Sequence, residues 1–120
     1  MIQSHKELVV WQKSMDLVVA IYQLTEKFPV RETYALASQM RRAAVSVPSN
    51  IAEGRSRNTR KDFTHFLRIA YGSVSELETQ LLLANRLKLS NTIHHASALS
   101  LLSEVSRMLH AMIKKLEASP

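Results

Sequence analysis

Apolar residues recur at helical spacing in four stretches of this chain, separated by three short breaks. The first, about 9–27, carries Trp11, Met15, Val18 and Tyr22 beside a second row at Val10, Leu17, Ile21, Leu24 and Phe28, which predicts a helix with a broad buried face. Its valines would suit a strand, but no alternation is sustained. Phe28-Pro29 ends it, because the residue before a proline is pushed out of the α region. The second stretch, about 32–54, places Leu36, Met40, Ala43, Val47 and Ile51 on one stripe. Here Pro48 is expected to kink or open the helix around Ser46 to Ser49, and Gly54 to supply a left-handed C-cap.

The third helix, about 60–87, is announced by Thr59 with Asp62 three residues on, a capping-box-like start. Phe63, Leu67, Ala70, Val74, Leu77, Leu81 and Ala84 then follow a 4,3 spacing. The fourth, about 91–117, begins after Ser90-Asn91 and repeats the pattern with Ala98, Leu102, Val105, Leu109, Met112 and Leu116. Short connections make consecutive helices antiparallel neighbours, so the pattern predicts one all-α domain over residues 1–120, an antiparallel up-and-down four-helix bundle. The last four residues, 117–120, read as a loose end.

Composition narrows the class further. Two glycines and three prolines in 120 residues supply too few turns for a sandwich or barrel. Without cysteine there is no disulfide, thiolate metal site or thiol nucleophile. No stretch has the length of a membrane span, and the first residues lack the pattern of a signal peptide, so a soluble cytoplasmic protein is expected, with no membrane partner. The formal net charge of +6 is concentrated: residues 31–61 carry seven basic side chains against Glu32 and Glu53. Arg55, Arg57, Arg60 and Lys61, with Arg41 as a helper, are the candidate nucleic-acid-binding residues. Ser56, Asn58 and Thr59 interleave as neutral donors, and the start of the third helix adds a partial positive charge.

Along the second helix Gln39, Arg42, Ser46, Asn50 and Glu53 form a polar stripe beside the apolar one. With Glu78, placed near the seam of the third helix and paired with Arg42, they make a candidate structural polar network that fixes register within the bundle or between subunits. Catalytic chemistry is not indicated. No two histidines are spaced three or four apart, and Asp62-x-x-His65 is half of a di-metal motif without its other half. There is no P-loop, nucleophile elbow or dinucleotide fingerprint, so neither a metal nor a cofactor is expected.

The run Gln39-Met40-Arg41-Arg42-Ala43-Ala44-Val45-Ser46-Val47, followed by Asn50-Ile51-Ala52-Glu53-Gly54, resembles the signature of the bacterial four-helix-bundle proteins encoded in intervening sequences of 23S rRNA genes, also labelled S23 ribosomal proteins. Trp11-Gln12-Lys13, Phe28-Pro29 with Glu32 and Tyr34, and Phe63 through Ala70-Tyr71-Gly72-Ser73 to Glu76-Leu77-Glu78 extend the likeness over residues 8–90. The resemblance implies a non-enzymatic homo-oligomer, a pentameric ring, related to the accessory variability protein of diversity-generating retroelements, which associates with nucleic acid. Two functions follow as expectations. One is association with RNA or DNA through shape and charge, base stacking being poorly supported because no aromatic residue lies between Tyr34 and Phe63. The other is a protein–protein interaction scaffold with no intrinsic nucleic-acid binding.

Overall fold

The computed structural model describes residues 4–33 and 35–118 and is a rod of 48 × 20 × 20 Å. Four helices form it: α1 (Val9–Glu26), α2 (Leu36–Ser56), α3 (Arg60–Arg86) and α4 (Thr92–Ala118). They alternate in direction, and α1 and α3 each pack on both α2 and α4. The core is a continuous column that includes Leu17, Ile21, Met40, Ile51, Leu67, Leu77, Leu102 and Leu109. Of the expected loose end, Glu117 and Ala118 complete the last turn of α4, and residues 119–120 lie outside the described part.

Local chemistry sets the helix ends. Pro29 is followed by a single 3-10 turn, Val30–Glu32, which takes up the residues expected to open α2 and delays that helix to Leu36. The Thr59 hydroxyl accepts from the Asp62 N–H at 3.1 Å and starts α3. Asn91 caps α4 in the same way, its side-chain oxygen accepting from the N–H groups of Ile93 and His94 at 2.9 and 3.1 Å. Between α3 and α4, Lys88 takes the left-handed position at φ 60, with Leu89 N–H donating to Ala84 O and Lys88 N–H to Asn85 O. Those two bonds are the Schellman pattern, completed without a glycine.

Three expectations are corrected. Gly54 is not a left-handed cap, because α2 continues to Ser56 and the positive-φ residue is Asn58, at 65. Gly54 instead permits close approach: a Cβ there would stand 2.7 Å from Phe66 Cβ and 3.3 Å from Phe63 Cδ1 on α3. Pro48 does not open α2, which is helical throughout, and the residue is buried on the side of the helix that faces α1. The first apolar row of α1 is only partly covered: Trp11 and Val18 pack against the core, whereas Met15 and Tyr22 are each 43% exposed. The buried face has Ser14 and Thr25 at its edge, their hydroxyls donating to the carbonyls of Trp11 and Ile21 at 2.8 Å each.

Candidate nucleic-acid interface

The up-and-down topology puts the end of α2, the start of α3, the end of α4 and the turn before α1 at one end of the rod. Arg55 and Arg57 leave α2, Asn58 reverses the chain, and Arg60 and Lys61 fall in the first turn of α3. Because α4 is antiparallel to α3, Lys114 and Lys115 arrive at the same end, and Lys6 lies in the 3-10 turn His5–Glu7 that precedes α1. Arg68, two turns into α3, completes the set. Among the described residues Glu7, Glu53, Asp62 and Glu117 are the carboxylates in the same turns, fewer than these cations. Of the cations, Lys6, Arg68, Lys114 and Lys115 lie outside the basic run that marks this end in the sequence. Their signal was the antiparallel order itself, which folds the last turn of α4 back onto the first of α3.

Arg57 and Arg68 are held in place by side-chain contacts. Arg57 Nε donates to Glu53 Oε2 at 2.9 Å, and its guanidinium lies 5.2 Å from the centre of the Phe66 ring. With both partners about half exposed, that pair contributes under about 1 kcal/mol and serves mainly to orient the guanidinium. Arg68 pairs with Glu117 across α3 and α4. Between these helices an open groove of about 540 Å³ is lined by Arg60, Lys61, Thr64, His65, Arg68 and Leu116. Cations and a hydroxyl therefore line one flank of α3 over two turns from its positive end, an arrangement suited to successive phosphates.

Arg41 does not join this cluster. It lies fourteen residues before Arg55 on one helix, about 21 Å along the axis. Its Nε donates to the Thr25 hydroxyl at 2.8 Å and its guanidinium sits 4.7 Å from the centre of the Tyr22 ring, so it ties α2 to α1.

The polar stripe of α2 faces α3 along part of its length. Gln39, Arg42 and Ser46 line an open groove of about 310 Å³ with Ala43, Ser73 and Glu76. The Ser46 and Ser73 hydroxyls are 2.8 Å apart, and the Asn50 amide donates to Ser46 O and Oγ at 2.8 and 2.9 Å. Glu53 belongs to the basic end through Arg57. The expected Arg42–Glu78 pair is absent: Glu78 is exposed, and Arg42 shares its groove with Glu76 instead. The buried arc of α3 is centred between Ala70 and Leu77 rather than on Val74, which turns Glu78 outward and brings Glu76 to the α2 side. Arg42 itself is exposed, with no carboxylate within 4.0 Å among the described residues. The buried polar residue of this region is Gln80, 7% exposed, whose amide donates to Glu76 Oε2 at 3.4 Å. Its place between Leu77 and Leu81 was the available signal.

Among the described residues no group of three or more His, Cys, Asp or Glu side chains could hold a metal ion, and no helix is long and apolar enough to cross a membrane.

Comparison with known proteins agrees with this architecture. A crystal structure at 1.70 Å resolution of a protein of unknown function from the S23 ribosomal protein family of Bacteroides thetaiotaomicron VPI-5482 superposes with a TM-score of 0.80 and 27% sequence identity, covering 88% of this chain and 96% of that one. No curated protein matches this chain. The family model of the 23S rRNA-intervening sequence protein matches residues 6–111, nearly the whole bundle, and the chain belongs to that family.

Proposed function

We propose that the chain is a non-catalytic, self-associating cytoplasmic protein whose basic end binds the phosphate backbone of nucleic acid. The observation that carries this reading is the convergence of cations from three helices and the turn before α1 on one end of the rod, beside the positive N-terminus of α3. Binding of this kind releases counterions and reads charge and shape, so it requires no pocket of high specificity. Self-association into a ring, implied by the resemblance, would multiply the cationic surface. Leu82, Leu83, Leu87 and Ile93, exposed towards the opposite end, support contacts between copies that leave the basic end clear.

The test is a salt series of fluorescence anisotropy with a structured RNA hairpin. The wild type is compared with a variant in which Arg55, Arg57, Arg60 and Lys61 are replaced by glutamine. A steep log–log salt dependence is expected for the wild type, flattened by about 0.9 for each phosphate contact removed. No binding by the wild type at near-physiological salt would move the assignment to a protein-interaction scaffold. Circular dichroism of the variant should be unchanged, because all four side chains lie outside the core.

A further inference from the structure

The partly covered apolar row of α1 borders the basic end, and the two together make a different kind of site. His5, Trp11, Met15, Val45, Pro48 and Ala52 line a groove of about 360 Å³ between α1 and α2. That volume is within the range of small-molecule sites, about 300–1,000 Å³. The walls are apolar and the aromatic wall is oriented: His5 meets Trp11 edge-on, with ring centres 5.0 Å apart at 66°. The turn carrying His5 packs on both α1 and α2, so it closes the groove at the basic end of the rod. Lys6 follows His5 directly, and Arg55 lies one turn beyond Ala52 on the same helix.

We propose that this groove receives an unpaired nucleobase of a single-stranded nucleic acid, stacked on Trp11, with the adjoining phosphates held by Lys6 and Arg55. The proposal rests on the nucleic-acid reading above and adds a mode of binding that the sequence argued against. A nucleotide has the two surfaces the site offers, a flat face for an apolar aromatic wall and an anion for the cations next to its lining residues, Lys6 beside His5 and Arg55 one turn beyond Ala52.

Trp11 is the sole tryptophan, so its emission reports on this groove alone. The experiment titrates the protein with a short oligoadenylate and with an abasic phosphodiester strand of the same length, following Trp11 emission and strand anisotropy. Oligoadenylate is expected to quench Trp11 and to bind more tightly than the abasic strand. Trp11→Ala should weaken oligoadenylate binding roughly ten-fold while leaving the abasic strand unaffected, and Trp11→Phe, which keeps a stacking face, should restore most of the loss. Equal binding of both strands with unchanged emission would overturn the stacking site and leave the phosphate reading in place. Binding of neither strand would overturn both. Emission that shifts with protein concentration in the absence of nucleic acid would assign the groove to contact between copies and overturn the proposal.

Discussion

Helix α2 has two flanks of opposite character. Towards α3 it approaches to backbone distance at Gly54 and is pinned by polar contacts, the Ser46–Ser73 pair among them. Towards α1 the helices part enough to leave an apolar groove, bridged at one point by Arg41 with Thr25 and Tyr22. The comparison separates two uses of a helix surface. The α3 flank holds the bundle together, so changes there should act on stability. The α1 flank leaves apolar area uncovered beside fixed charge, so changes there should act on binding.

The strongest challenge to this division is Gly54→Ala. An added Cβ would sit 2.7 Å from Phe66 Cβ, an atom tied directly to the α3 backbone, so the helices must shift apart. The gain in helix propensity, up to about 1 kcal/mol, offsets only part of an overpacking cost of about 1–3 kcal/mol, and the net loss should be about 1–2 kcal/mol. Thermal or denaturant unfolding measures it. A melting temperature equal to or above that of the wild type would mean that the close approach is not what glycine is there to allow.

Gly54 also marks where reading the sequence reached its limit. A glycine just ahead of a polar, basic loop is the common left-handed cap, and nothing within α2 distinguishes that role from a close contact. The deciding atoms belong to Phe63 and Phe66 on α3. The same limit placed Glu78 at the seam and Met15 and Tyr22 in the core. Periodicity shows that an arc is apolar or polar, whereas neighbours decide which part of it is covered, and among the described residues α1 has α2, α4 and the short turn His5–Glu7 beside it. What depends on the local chain alone was legible: the helical spacings, the Thr59 cap, the start of α4 after Asn91 and the basic run from Arg55 to Lys61.

A smaller effect is expected from Ser46→Ala. It removes the 2.8 Å contact to Ser73 and one of the two acceptors of the Asn50 amide, a loss of about 0.5–1 kcal/mol after alanine's better helix propensity is counted. Chemical denaturation should show a lower midpoint with an unchanged slope. No shift in the midpoint would mean that solvent in the open groove replaces the hydroxyl at no cost.

Gly72→Ala should act with similar size and opposite sign. A Cβ at Gly72 meets no atom within 4 Å, and the residue lies in the middle of α3. The substitution should therefore stabilise the bundle by up to about 1 kcal/mol through the unfolded chain's entropy and helix propensity. Destabilisation, or a loss of oligomer mass, would show that another chain approaches the backbone at this glycine.

The smallest effect on stability belongs to Arg42→Ala, and it is the most informative about where the polar stripe acts. Arg42 is exposed, and no carboxylate lies within 4.0 Å of it among the described residues. Within one copy it therefore contributes little, and the melting temperature of a dilute sample should change by less than the equivalent of about 0.5 kcal/mol. The side chain still shares a groove with Glu76, leaving an unpaired cation and a carboxylate on the outer surface between α2 and α3. If copies meet across that surface, the substitution should lower the oligomer mass measured by light scattering while leaving the fold intact. Unchanged mass together with an unchanged melting curve would remove Arg42 from register within the bundle and from contact between copies alike.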